Sequence, residues 1–212
     1  METRLEENAV VPGAPYRLLE RLGEGAFGEV WKALHPTRKK LYALKFLKDF
    51  DDLDTLRNEA KHLDRIPVHC RGNFVALCEI HDGEERDVPF VAYEYVAGAD
   101  FEKLLSKRFT EEGSFPPLEA AEIVYELARI MGSVHTLPDR LVHRDLKPSN
   151  ILVVQAGPPW QFKVADFGLG VLAISSTRAA NLTVSDDGRQ MRGGTPSYRS
   201  VEQNDPEHLG GN

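Results

Sequence analysis

Val142-His143-Arg144-Asp145-Leu146-Lys147-Pro148-Ser149-Asn150-Ile151-Leu152-Val153 is the stretch on which the rest of the chain turns. Asp145, Lys147 and Asn150 put a carboxylate, an ammonium and an amide carbonyl within one short turn, and an apolar strand-like run, 151–154, follows at once. Such a turn can aim three side chains into one small volume while the strand behind it keeps it rigid. Asp145 can accept a proton, Lys147 can neutralise phosphate charge, and Asn150 can ligate a hard cation. The chemistry is that of a catalytic loop. A hydrolase dyad of His143 and Asp145 is the weaker reading, because two residues of one strand-end turn need not face each other and no G-x-S-x-G elbow occurs.

Composition bounds the rest. The chain has 212 residues, room for one large domain or two small lobes. Its 42% hydrophobic and 28% charged residues are those of an ordinary globular protein. A net charge of −7 with no block of like charge speaks against an electrostatic nucleic-acid or membrane binder. No apolar run approaches a membrane span, and the opening residues lack a signal-peptide core. Cys70 and Cys78 are not at metal-ligand spacing and are expected to be buried, reduced thiols of a cytoplasmic protein. Residues 1–15, with Pro12-Gly13-Ala14-Pro15, are expected to form a flexible tail.

From Tyr16 the pattern is that of strands. Tyr16 to Leu22 runs into Gly23-Glu24-Gly25-Ala26-Phe27-Gly28, and Glu29 to Leu34 leads out. A G-x-G-x-x-G alone is weak evidence, because turns use such glycines without any ligand. A dinucleotide fold would open a helix at the third glycine, whereas Glu29-Val30-Trp31-Lys32-Ala33 is strand-like. A Walker loop would continue with Lys and Ser or Thr, where Glu29-Val30 stand. A glycine-rich hairpin lying over phosphates meets both constraints, with Val30 projecting onto a base.

Leu41 to Leu47 is the next strand, with Ala43 and Lys45 on one face. Leu53, Leu56, Ala60, Leu63 and Ile66 recur at helical spacing up to Pro67 and leave Glu59 beside the buried stripe. Taken singly, a strand lysine is a solvated edge residue and a helix glutamate a solvated charge. Phe74 to Ile80 and Pro89 to Val96 form two further strands. A short helix is expected from Phe101 to about Lys107. A longer one after Pro116-Pro117 carries Ile123, Leu127, Ile130 or Met131, and Val134 on one face. Ile151 to Val154 and Phe162 to Ala165 form a hairpin that delivers Asp166-Phe167-Gly168.

In this order the pieces resemble the signature set of the eukaryotic-like (Hanks-type) serine/threonine protein kinases, in the style of the bacterial members. The opening stretch is similar, nearly letter for letter, to the family's H-R-D-L-x-x-x-N loop. Ala43-Leu44-Lys45 stands where the family has V-A-I-K, with Tyr42 in place of Val. Glu94-Tyr95-Val96-Ala97-Gly98-Ala99-Asp100 looks like the hinge, and Asp166-Phe167-Gly168 is the D-F-G. The resemblance implies a two-lobed α+β fold. Residues 16–96 would form an ATP-binding lobe and hinge, a five-stranded antiparallel sheet plus one helix. Residues 97–212 would form an incomplete helical lobe, with the catalytic loop at 142–154 and the activation segment at 166–202.

The resemblance also implies roles. ATP would lie against Leu22, Gly23, Glu24, Gly25, Ala26, Phe27, Gly28, Val30, Ala43, Lys45, Glu94, Val96, Asp100 and Leu152, with Tyr93 as gatekeeper. Lys45, held by Glu59, would bind the α- and β-phosphates. Asn150 and Asp166 would hold Mg²⁺, Asp145 would orient the hydroxyl, and Lys147 would steady the transferred group. His143 would pack as a structural residue against the backbone at Asp166-Phe167. Arg144 would answer a phosphorylated loop residue, and Thr195, with Lys147, would mark serine/threonine specificity. The implied partners are protein substrates and a second copy for autophosphorylation, with no nucleic acid and no membrane segment. A pseudokinase would be expected to lack Lys45, Asp145 or Asp166. A small-molecule kinase usually reads H-G-D-L-H-x-x-N, with Gly and His where Arg144 and Lys147 stand.

Two departures stand out. Arg199-Ser200-Val201-Glu202 replaces the family's M-A-P-E, and the resemblance runs only from about Tyr16 to Gln203. The chain is therefore expected to be a fragment lacking the end of the large lobe. Ile123, Leu127, Ile130 and Val134 would then keep apolar surface uncovered. Phosphate on Thr177, Thr183 or Ser185 is expected to make charge-assisted bonds with Arg144. Mass spectrometry of active protein should find it, and no phosphate anywhere between Gly168 and Thr195 would count against the assignment.

Overall fold

The computed structural model describes residues 5–25, 28–47, 66–83, 88–137, 142–143, 145–166 and 196–198. The described chain divides into two compact units, one drawn from Met1–Arg65 and Val75–Ala97, the other from Ile66–Phe74 and Gly98–Asn212. The helix expected across 53–66, with Glu59, lies outside the described residues apart from its last position.

The first unit is a five-stranded antiparallel sheet. Its strands are β1 (Arg17–Gly25), β2 (Gly28–His35), β3 (Lys40–Leu47), β4 (Leu77–His81) and β5 (Phe90–Glu94), in the order β1-β2-β3-β5-β4. The period-2 alternation of β2 and β3 sorts their side chains onto two faces. Trp31, Ala33, Tyr42, Leu44 and Phe46 join Leu18, Phe90 and Ala92 in one buried cluster. Tyr16 crosses that face. Its ring meets Tyr42 and Phe90 edge-on at 5.4 and 5.7 Å, and its hydroxyl donates to Glu79 Oε2 at 2.9 Å. The residue ahead of the first strand is thereby bonded to the last strand of the sheet. Tyr16 is 0% exposed, so losing that acceptor would leave a buried hydroxyl unpaired, at about 1–3 kcal/mol.

Two sequence expectations are corrected here. The start of the chain is not a loose tail over its described part. Asn8 N donates to Leu18 O, Leu18 N to Ala9 O, and Val11 N to Tyr16 O, at 2.8–2.9 Å, with Val11 buried. The turn that looked like a linker folds the chain back along β1. Cys70 is buried, but Cys78 is exposed. The β4–β5 register slips between Leu77 and Glu79, so Cys78 is the extra residue of a bulge, which alternation cannot assign to a face.

The second unit holds α1 (Phe101–Glu111), α2 (Pro117–His135) and the hairpin of β6 (Ile151–Gln155) and β7 (Gln161–Val164). Asp100 caps α1, its Oδ1 accepting from Lys103 N at 2.8 Å. Pro117 opens α2 at a position whose missing N–H costs nothing. Arg108 ties the two helices, pairing with Glu119 at 2.7 Å and lying over the Phe115 ring. The hairpin adds an aromatic stack, Trp160 on Phe162 at 5.6 Å, with Phe101 edge-on to Phe162. On α2 the expected uncovered face is in fact the packed one. Ile123, Ile130 and Val134 are buried and Leu127 is half-buried, while Leu118 (73% exposed), Val124 and Tyr125 (70%) face outward. The helix is apolar on both sides, and periodicity alone could not say which side the hairpin takes.

At two glycines the neighbouring backbone leaves no room for a side chain. Gly28 has φ +143°, and a Cβ there would lie 1.7 Å from Phe46 O; at Gly98, φ +132°, it would lie 2.6 Å from Val153 O. Gly28→Ala should therefore push β2 off β3 and cost roughly 1–3 kcal/mol from overpacking alone. Urea unfolding of the variant checks this, and an unchanged midpoint would show that the sheet absorbs the methyl.

Candidate active site

In the first unit, register decides what can face a ligand. Val30 pairs with Lys45, Lys45 with Val91, and Ala43 with Tyr93. Directly paired residues share a face, so Val30, Ala43, Lys45 and Tyr93 lie together on the side of the sheet opposite the Trp31–Phe46 cluster. Val30, Ala43 and Lys45 are half-buried. Leu22, Gly23 and Glu24 are exposed on the hairpin above them. Gly28 owes its identity to the approach of Phe46 O, whereas Gly23 has open space around it. Glu94 is clamped to Ala76 twice: its amide donates to Ala76 O, and its Oε1 accepts from Ala76 N, each at 2.9 Å. Its amide and side chain are thus committed to the residue just before β4. Val96 is half-buried beyond it.

In the second unit, Pro148–Asn150 form a 3-10 turn that leads straight into β6. The turn folds Asn150 back onto Asp145. Its Nδ2 donates to Asp145 O at 2.8 Å and to Asp145 Oδ2 at 3.3 Å. Lys147 Nζ lies 2.9 Å from the same Oδ2. Asp145 and Asn150 are buried, and Lys147 is half-buried. Because Asn150 donates both bonds, its amide oxygen is the end left for a cation. A hard oxygen donor of that kind, with the Asp166 carboxylate, suits Mg²⁺, which takes few protein ligands and completes its shell with phosphate and water.

Ala165 brings Asp166 to this turn. Its amide donates to Asn150 O at 2.8 Å, and its carbonyl lies 2.8 Å from His143 Nε2. The imidazole also accepts at Nδ1 from Asp145 N, at 3.3 Å. These partners require the neutral ring with its proton on Nε2. Asp166 itself has φ +61°, a left-handed backbone that aspartate tolerates better than most residues.

Asp145, Lys147 and Asn150 are thus in direct contact, His143 accepts from the Asp145 amide, and Ala165 brings Asp166 alongside. Asp100 is placed as the cap of α1, with Lys103 Nζ at 3.0 Å from its Oδ2, a task that its hinge-like motif did not disclose. Leu152 is half-buried on β6 and bridges to Asp100, between buried Ile151 and Val153. Ala26, Phe27, Glu59, Arg144, Phe167 and Thr195 lie outside the described residues, so the Lys45–Glu59 pair does too. Ala165 was missed from sequence, since a methyl side chain carries no signal of what its backbone does.

Residues 16–209 match the family model of the protein kinase domain. Among curated proteins, the chain is 31% identical to myosin light chain kinase A of Dictyostelium discoideum over 88% of its own length and 58% of that protein's. It is 32% identical to the serine/threonine-protein kinase PknF of Mycobacterium tuberculosis, over 90% and 38% respectively. With the serine/threonine-protein kinase pkn3 of Myxococcus xanthus it shares 29%, over 89% and 33%. The chain therefore spans little more than half of the first of these relatives and about a third of the other two.

The buried imidazole makes a pH prediction. Burial pushes the His143 pKa below its ordinary 6.5, and the bond to Ala165 only partly opposes this. Below 6.5 the unfolded chain takes up a proton that the folded chain refuses, so the stability contributed here is present above that pH and is lost as pH falls through the lowered folded value. Melting temperature should drop on going from about pH 7.5 to about pH 5.5, and by less in His143→Gln. A proton NMR titration of the His143 ring at or above its ordinary pKa would contradict the neutral tautomer.

Proposed function

The chain belongs to the protein kinase domain family, and from that premise we propose that it transfers the γ-phosphoryl group of ATP to serine or threonine hydroxyls of proteins. The observation that carries this is the Asp145 carboxylate, buried in a turn with Lys147 Nζ at 2.9 Å and Asn150 Nδ2 at 3.3 Å. Phosphoryl transfer asks little covalent chemistry of a protein. Positioning and charge neutralisation do most of it.

In this reading Asp145 receives the substrate hydroxyl and takes up its proton as the oxygen attacks phosphorus. Asn150 and Lys147 fix the carboxylate in one rotamer, and the Lys147 ammonium also balances charge on the transferred group. Asn150 and Asp166 would hold Mg²⁺, which would supply neutralisation of phosphate charge. Lys45 binds the α- and β-phosphates, and Val30 and Ala43 on the same sheet face provide apolar contacts of the base. Lys147 supports serine/threonine acceptors, as do the names of the relatives. A second copy of the chain would be a substrate for autophosphorylation. We assign the protein to the cytoplasm, which supplies ATP and keeps cysteines as the thiols found here. No helix among the described residues is long and apolar enough to cross a membrane.

Asp145→Asn tests the reading. Phosphorylation of a generic basic protein by the natural full-length chain should fall by ~10²–10⁴, the range for a positioned acid–base group. Affinity for Mg·ATP should stay within about twofold, because the carboxylate acts on the acceptor side. Equal losses in both would make Asp145 a structural residue.

A further inference from the structure

The β1–β2 hairpin brings two acids face to face. Glu24 pairs directly with Glu29, one rung from the Gly25–Gly28 pair that closes the ladder. Like charges opposite one another on antiparallel strands repel. Strict alternation would send Arg21 and Glu24, three residues apart, to opposite faces. The register slips between Arg21 and Gly23, however, so Leu22 is the extra residue of a bulge and the parity beyond it is inverted. Arg21 therefore shares a face with Glu24, with its own partner Trp31, and with Glu29 two residues before Trp31.

The guanidinium answers both carboxylates. Arg21 Nη2 pairs with Glu24 Oε2, and Arg21 Nε lies 3.8 Å from Glu29 Oε2. Trp31 Nε1 donates to that same Glu29 oxygen at 2.9 Å, and the Trp31 ring is buried in the main cluster of the sheet. A line of contacts thus runs from the core through Trp31, Glu29 and Arg21 to Glu24 on the glycine-rich hairpin. At 44% and 48% side-chain exposure, the Arg21–Glu24 pair alone would contribute little. Its weight lies in what it cancels: without Arg21, the directly paired Glu24 and Glu29 carboxylates would lose the guanidinium that answers them both.

We propose that Arg21 is a positioning residue for the glycine-rich hairpin, holding Glu24 and Glu29 together so that the hairpin keeps the register and charge that a nucleoside triphosphate requires. The proposal rests on the kinase reading above. It is tested on the natural full-length protein with Mg·ATP, by direct binding and by steady-state phosphorylation. Arg21→Ala should raise both Kd and KM for Mg·ATP about three- to tenfold, with kcat within about twofold. Adding Glu29→Gln, which keeps an acceptor for Trp31 but removes one of the repelling charges, should restore KM to within about twofold of the parent. The defect of Arg21→Ala should also shrink at ~0.5 M salt. If Arg21→Ala does not fold, Arg21→Gln with Glu29→Gln carries the test and should bind Mg·ATP like the parent. A parent that binds Mg·ATP beside an Arg21→Ala variant with unchanged KM overturns the proposal alone. So does a raised KM that Glu29→Gln fails to rescue, since lost packing would explain it. A parent that binds no Mg·ATP overturns the kinase reading and this proposal with it.

Discussion

The second unit depends on how one alanine is held. Ala165 offers only backbone, yet its amide bonds to Asn150 and its carbonyl to His143. The His143 ring also receives the Asp145 amide. One neutral imidazole can donate at one nitrogen and accept at the other, and an imidazolium cannot. Protonation of that ring would remove the acceptor of the Asp145 amide, while the Ala165 amide would still hold Asn150. Main-chain bonds at Ala165 bring Asp166 to the turn, while the Asn150 and Lys147 side chains hold the Asp145 carboxylate itself.

The first unit is organised by parity. Alternation places Val30, Ala43, Lys45 and Tyr93 on one side and Trp31, Tyr42, Leu44 and Phe46 on the other. A bulge changes the assignment for everything beyond it, and two of the sheet's three register slips show what that does. At Leu22 it turns Arg21 toward the acids of the hairpin. At Cys78 it puts a thiol outside and leaves Glu79 to receive Tyr16. Close approach then selects glycine where parity has no say, as Gly28 against Phe46 O demonstrates.

Much of this was legible from residue order, for definite reasons. Ala43 and Lys45 share a face because they are two apart in an unbroken strand. Asp145, Lys147 and Asn150 converge because a single turn has few ways to fold. What escaped was what alternation and residue type do not encode. The bulges at Leu22 and Cys78 follow from register, the cap by Asp100 from where α1 begins, and the clamp at Ala165 from main chain alone. On α2 the hydrophobic period was real, but both sides are apolar. The choice of Ile123, Ile130 and Val134 over Leu118, Val124 and Tyr125 was made by the elements packed against the helix. The bond from Tyr16 to Glu79 joins residues 63 apart, and no local pattern announces it.

The fold-back of residues 8–11 along β1 bears on how the molecule coexists with its neighbours. A five-stranded sheet has two outer strands, and an outer strand with free amides and carbonyls is a template for another chain to add to. Here one margin has its Leu18 amide and carbonyl occupied by Asn8 and Ala9. The other margin, β4, is five residues long and kinked at Cys78. Among the described residues, the first margin is thus paired at Leu18, and the second is short and interrupted by a bulge. The opening residues, which look dispensable beside the catalytic turn, thus act as a guard against strand addition between copies, and trimming the protein back to Arg17 would uncover a seam along which copies could pair.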